Sequence, residues 1–306
     1  MTGSSLIHQA LIYHDAQQFL AAVLPFIEEG LNRGEPVLAV TTETNSVLLR
    51  GELGRAAAQV QFVEPARWYD APGRTIAACH RYVQERRSGQ ERVRVIGEPV
   101  WNGWSPLETS GWKRFEAGLN VALAAAPAWM ICSYDERLLA PDVLADARRT
   151  HPQLSDGKES PDYGDPAELC TQWQPELPFP PAGSYAALAF DGDPAPVRRF
   201  VVAQATRLGV PPGRLDDLIL AVNEVATNAI RHGAGGGQVR IWRDERYLLC
   251  EVFDRGRATK GLFGLVPPSP DSEGGHGLWI TRQLCDLVEI RSDPHGTTVR
   301  LYIRCA

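Results

Sequence analysis

The sequence predicts two domains of α/β composition: an amino-terminal three-layer unit on a mainly parallel sheet, and a carboxy-terminal α+β two-layer sandwich. Three observations carry this. Over the first half, short apolar β-rich runs alternate with helical stretches, the pattern of βαβ units. Between Leu154 and Gly183, in DGKESPDYGDP and QPELPFPPAG, the chain turns rich in Pro, Gly and acidic residues, as a boundary does. Beyond it two helical stretches precede paired strands, which favours helices on one face of a mixed sheet. The boundaries are drawn at 1–155, a linker at 156–183, and 184–306.

With 306 residues, each half can bury its own core. A net charge of −6 without a basic stripe argues against direct nucleic-acid binding, which needs cations to neutralise phosphates. The start of the chain lacks a positively charged stretch with a long apolar run, and no apolar run is long enough to span a bilayer. A cytoplasmic protein without a membrane partner is therefore expected. The six cysteines show no C-x-x-C pair and no clustered histidines, so neither zinc nor a disulfide framework is expected, and Cys132 and Cys250 read as reduced core residues.

In the first half LIYHD, PVLAVTT, VQFV, RVRVIGE and AWMICSYD read as five strands. Most are apolar throughout, as strands covered on both faces must be. Ligands of such sheets bind beyond the carboxyl ends of the strands. There the sequence places His14, Glu98, Trp101, Tyr134 and Asp135, expected to line a sensory pocket for an unidentified small molecule. A phosphate-binding G-x-x-x-x-G-K-[ST] loop is missing, which argues against a P-loop nucleotide triphosphatase in this half. The run Y-x-x-x-x-x-F-L from Tyr13, PFIEEGLNRGEPVLAVTT at 25–42, RVIGEPVW at 94–101 and CSYD at 132–135 resembles the MEDS sensory domain, which implies a ligand sensor.

In the second half SYAALAF reads as a strand and Pro194 to Leu208 as a helix. The next helix, from Asp216 to Gly233, is amphipathic: Leu218, Ile219, Val222, Val225, Ala226, Ala229 and Ile230 fall on one arc, with Asp217, Glu224, Asn228 and Arg231 opposite. Glu224 and Asn228 stand at i, i+4, about 5–6 Å apart at Cβ, so both can face one ligand. GQVRIWRD and YLLCEVFD follow as strands, the second ending at Asp254 in DRGR. The Pro/Ser/Gly segment from Ala258 to Glu273 reads as a mobile lid. A glycine-rich turn then opens a helix at GGHGLWITRQLCD, and LVEIRSD and TTVRLYIRC close the chain as strands.

N-E-x-x-x-N on a helix, D-x-G after a strand, a lid, G-G-H-G-L opening a helix and G-T-T in the last hairpin resemble, in this order, the Bergerat ATP-binding fold of the GHKL superfamily. Within it the domain is similar to the anti-sigma-factor serine kinases of the RsbW type, and the two-domain layout to RsbA-type regulators. The resemblance implies ATP and Mg2+ as cofactors. Asn228 would offer a hard oxygen to the metal, and Asp254 would accept from the adenine amine while repelling the guanine carbonyl. Gly256 would let backbone approach the base. Gly274, Gly275 and Gly277 would let amides approach phosphates at a helix start, where the dipole favours anions. His276 would lie on the phosphate side, Leu278 beneath the base, and Thr297 at the adenine side. Glu224 would be the general base for an attacking serine hydroxyl. His232 and His276 read as capping or phosphate-side groups. Arg257 replaces the second glycine usual after D-x-G. The implied partners are an anti-anti-sigma protein of STAS type, a sigma factor, or both, and a homodimer is allowed. Two functions stay open at this point: a serine/threonine kinase under a ligand-sensing domain, and an ATP-dependent switch that sequesters its partner without transferring phosphate.

Overall fold

The computed structural model describes residues 5–86, 92–257, 262, 264–268 and 275–305. The chain divides into two compact units, one over residues up to 70 and 75–170, the other over 71–74 and from 171 onward. The first runs through β1 (Ile7–Tyr13), α1 (Ala16–Asn32), β2 (Val37–Val40), α2 (Glu43–Leu53), a 3-10 turn (Gly54–Gln59), β3 (Val60–Val63) and the short α3 (Pro65–Trp68). It continues with α4 (Pro72–Arg86), β4 (Val93–Gly97), α5 (Pro106–Ala122), β5 (Ala128–Asp135), α6 (Pro141–Thr150), β6 (Gln153–Leu154) and α7 (Pro166–Gln172).

Its sheet has the order β3-β2-β4-β5-β1-β6, with every pairing parallel. Both faces are covered. Phe19, Val23 and Ile27 of α1 and Leu49 and Leu53 of α2 pack with Leu11, Ala39 and Ile131 on one face. On the other, Val143 and Ala147 of α6 pack on Ala10, Cys132 and Tyr134. This three-layer arrangement is the one the alternating pattern predicts, and burial on both faces explains why β2 and β4 carry no inside/outside alternation. β1 starts four residues before the predicted LIYHD run and ends two residues before its end. Asp15 belongs to the next element, accepting from the Gln18 N–H as the N-cap of α1.

The stretch read as a linker contains structure. Pro166–Gln172 forms α7, which buries Leu169 and Cys170, so the first unit extends past residue 155. Composition signalled a boundary there because Pro and Gly punctuate the chain on either side of this short helix.

The second unit contains β7 (Ala186–Asp191), α8 (Ala195–Arg207), α9 (Pro212–His232), β8 (Gly236–Arg243), β9 (Tyr247–Asp254), α10 (His276–Leu284), β10 (Leu287–Asp293) and β11 (Gly296–Arg304). The sheet order is β10-β11-β9-β8-β7, and every pairing is antiparallel. The expectation of a mixed sheet is corrected here. β10 runs parallel to β9, but β11 inserts between them and pairs antiparallel with each. α9 packs between α8 and α10 and against β8, β9 and β11, burying Leu218, Ala221, Val222, Val225, Ala226 and Ala229 in the core. Glu224 and Asn228 remain half-buried at its edge. Among the described residues, no helix is long and apolar enough to cross a membrane.

Candidate functional site

Two helix ends meet in the second unit. α10 starts at His276 after Gly275, whose φ of 89° lies in the left-handed region that glycine enters without steric cost. The first-turn amides of α10 have no partner within the helix, which makes this end favourable to anions. Gly277 lies directly against α9. A Cβ built there would stand 2.8 Å from Glu224 Oε2 and 3.4 Å from Asn228 Nδ2, so a larger residue would displace Glu224 and touch Asn228. Neither Glu224 nor Asn228 is held by a side-chain hydrogen bond among the described residues.

At the end of β9 the Gly256 N–H donates to Asp254 Oδ1 at 2.6 Å. Gly233, the C-cap of α9, sits so close that a Cβ there would lie 2.6 Å from the same oxygen. Thr297 pairs with Asp254 across β11 and β9, and its hydroxyl donates to the Gly256 carbonyl at 2.9 Å, while Ser292 Oγ lies 3.0 Å away. Burial raises the Asp254 carboxyl above its ordinary value, opposed by the Gly256 N–H. A cavity of about 350 Å³ opens between these elements. Val225, Leu278, Ile290 and Val299 supply its apolar wall. Asn228, Asp254 and Thr297 supply polar groups, with glycine backbone between them. An apolar slot with a few aimed polar groups is the usual form of a small-ligand site.

Of the residues singled out from sequence, Asn228, His232, Asp254, Gly256, Gly275, Gly277, Leu278 and Thr297 line this one cavity. Glu224 borders it through Gly277. His276 is exposed as the first residue of α10 and is not among the lining residues. Gly274 and most of the segment 258–273 lie outside the described residues. Arg257, in the place of a glycine, is exposed on the cavity wall. Sequence reasoning missed Gly233 as a wall, because it reads only as a helix stop, and missed the cross-strand pair Ile290 and Val299. Alternation in two strands places those two on the helix-covered face, and that was the available signal.

Of the five residues assigned to a sensory pocket, Trp101 and Tyr134 pack on each other, while Glu98, Asp135 and His14 are paired with other residues. Glu98 is 8% exposed and saturated: Oε1 accepts from Tyr13 OH (3.2 Å) and Asn45 Nδ2 (2.8 Å), and Oε2 from Thr42 N (2.7 Å) and Thr42 Oγ1 (3.1 Å). It stands at the switch point between β2 and β4, where a ligand would be expected, and ties those strand ends together instead. Asp135 pairs with Arg137 at 2.6 Å, a hydrogen bond that holds its carboxyl below the ordinary value. Tyr134, its neighbour on β5, points to the opposite face and packs on Trp101 and His151. His14 is exposed beside Asp15.

The structure also assembles a group that the sequence scatters. His8 on β1, Cys132 on β5, Glu116 on α5 and His151 after α6 are all buried, and one ligand atom from each lies within 4.8 Å of the others. His8 Nε2 is 3.4 Å from Cys132 Sγ and 3.9 Å from Glu116 Oε2, and His151 Nε2 is 3.6 Å from the same oxygen. Burial pushes the Glu116 carboxyl up to about 8 and the His8 imidazole down to about 4, and holds His151 well below its ordinary value. Without clustered histidines in the sequence, nothing local signalled this group.

Comparison with known proteins gives two family matches. Residues 7–152 match the MEDS domain (MEthanogen/methylotroph, DcmR Sensory domain), and residues 192–303 the histidine kinase-like ATPase domain. The serine-protein kinase RsbW of Bacillus licheniformis is 32% identical over 119 residues, 34% of this chain and 74% of that protein. The anti-sigma F factor of Clostridium acetobutylicum is 32% identical over 105 residues, 31% of this chain and 73% of that protein. A solved structure of the RsbU and RsbW domains of Rv1364c from Mycobacterium tuberculosis aligns at 21% identity with a TM-score of 0.30, over 39% of this chain and 32% of that one.

Proposed function

We propose, from the premise that the chain belongs to the family of the serine-protein kinase RsbW and the anti-sigma F factor and carries a MEDS domain ahead of that unit, that it is an ATP-dependent serine/threonine kinase acting on an anti-anti-sigma protein. The observation that carries the reading is the seat of Gly277 against Glu224 Oε2 and Asn228, at the start of α10 and beside the cavity that holds Asp254. The residues fit Mg-ATP. Gly277, Gly256 and Gly233 keep the space where a Cβ would collide with Glu224 or Asp254. Asp254 offers a carboxylate oxygen to an exocyclic amine, and Asn228 can offer a neutral oxygen to a hard cation.

When bound, Mg-ATP supplies the transferable phosphoryl group. The chain's residues do the rest. The α10 amides and the helix dipole orient anionic oxygens. The apolar wall of Val225, Leu278, Ile290 and Val299 excludes water from the base. Glu224 Oε2, held by no other side chain among the described residues, takes the proton of a partner's hydroxyl as that oxygen becomes the nucleophile. The MEDS unit would set this activity through a small ligand, with the protein acting in the cytoplasm.

Labelled ATP and a purified STAS-type anti-anti-sigma protein test the reading. Acid-stable label on a serine or threonine of the partner is the expected outcome. A second reading rests on Arg257, a bulky cation on the cavity wall where the family pattern has glycine: a nucleotide-gated switch that holds a sigma factor or its antagonist. Partner binding that depends on ATP without any label transfer would select it.

A further inference from the structure

The buried group in the first unit has the geometry of a metal centre, and we propose that His8 Nε2, Glu116 Oε2, Cys132 Sγ and His151 Nε2 bind one divalent transition ion of zinc type. The spacing is close to that of a bound ion. A tetrahedral ion with ligand bonds of about 2.0–2.3 Å holds its ligand atoms about 3.3–3.8 Å apart. The recorded separations are 3.4, 3.6 and 3.9 Å, and all four ligand atoms lie within 4.8 Å of one another, so binding asks them to close in by no more than about 1 Å.

The surroundings fix both imidazoles in the tautomer that a metal needs. Asn120 Nδ2 donates to the Thr150 carbonyl at 2.7 Å, which turns its Oδ1 toward His8 Nδ1 at 3.0 Å. An amide oxygen only accepts, so His8 Nδ1 carries the proton and Nε2 the lone pair. His151 Nδ1 lies 2.7 Å from the Ala147 carbonyl, and the same reasoning leaves its Nε2 lone pair aimed at the group. Outer hydrogen bonds of this kind orient metal-bound histidines. Two polar atoms at the centre, Glu116 Oε2 and His151 Nε2, are fully buried without a hydrogen-bond partner, although each residue is at most 3% exposed. Buried polar atoms are normally satisfied, and an ion between these two would satisfy both.

Charge and chemistry select the ion. A carboxylate and a thiolate together balance a divalent cation, so a neutral assembly is buried. Two imidazoles with one thiolate suit zinc, whereas magnesium and calcium prefer oxygen. All four ligands come from the protein and all are buried, which is the form of a closed, structural site. The ion would pin α5 and the end of α6 to β1 and β5, so loss of it would loosen the helical layer on that face of the sheet.

The test uses the full chain. Metal content of the protein as isolated is expected to be one zinc per chain. After chelation, titration with Co2+ alone should saturate at one equivalent with a thiolate-to-cobalt charge-transfer band, reversed by Zn2+. Cys132→Ala should lose the band. Asn120→Ala should keep the band but weaken Co2+ binding by about 10–100-fold, the usual effect of losing an outer partner. A protein isolated without stoichiometric metal that also gives no saturable cobalt spectrum overturns the proposal. So does a charge-transfer band that persists in Cys132→Ala, since the thiolate would then come from another cysteine. If a variant fails to fold, the wild-type metal content and cobalt titration decide by themselves.

Discussion

Glu98 and Asp254 both stand where a sheet strand ends, and burial raises both carboxyls above their ordinary value, yet their surroundings differ. Glu98 accepts four hydrogen bonds from Tyr13, Thr42 and Asn45, which uses the acceptor sites of a carboxylate. Among the described residues Asp254 accepts one, from the Gly256 N–H, and it faces a cavity. The first closes the gap between two parallel strands. The second keeps accepting capacity for a ligand, because the residues packed around it, Gly233 and Gly256, have no side chains to reach it. A perturbed carboxylate at a strand end therefore indicates a site only when its neighbours leave room.

The largest expected effect tests the open side of this contrast. Glu224→Gln keeps shape and removes the base, so phosphate transfer to the partner should fall by about 10²–10⁴ while nucleotide binding persists. Equal rates in a label-transfer assay would remove Glu224 from that role. On the closed side, Glu98→Ala leaves the donors of Thr42, Asn45 and Tyr13 without their acceptor, and the first unit should lose about 2–3 kcal/mol in denaturant unfolding. A change of a few tenths would mean that water replaces the carboxylate and the site is more open than described.

Smaller effects sharpen the comparison further. Gly277→Ala should leave the fold intact, since Glu224 can swing away, but should cut ATP affinity by about tenfold, at the low end of the cost of overpacking. Calorimetry reads this directly. Asp254→Asn should remove the preference for ATP over GTP and, without nucleotide, slightly raise the melting temperature at neutral pH. The folded chain holds the Asp254 proton more tightly than the unfolded chain does, so the carboxylate costs stability above its raised folded value and costs none below its ordinary one. The gain from Asn should therefore vanish on acidification. A gain that persists in acid would assign it to another cause.

Much of the second unit was legible because its signals are local. The i, i+4 spacing of Glu224 and Asn228, the glycines opening α10 and the D-x-G after β9 each describe a turn or helix face, and five of the residues in these patterns line one cavity. The first unit was legible in its layers and less so in its chemistry. Strand ends drew attention to Tyr134 and Asp135 together, although neighbours on a strand face opposite sides, and the composition of 156–183 concealed α7.

The sequence by itself determined the parallel class of the first sheet, the amphipathic face of α9 and the glycine positions, since these depend on backbone preference and on periodicity within a few residues. Tertiary structure decided that β11 would enter between β9 and β10, that Gly233 would press on Asp254, and that Glu98 would be enclosed. It alone brought together His8, Glu116, Cys132 and His151, which come from two strands, a helix and a helix end spread over most of the first unit. Their meeting point is set by how α5 and α6 pack on the sheet, and no spacing along the chain encodes the distance between elements that are joined only through a core.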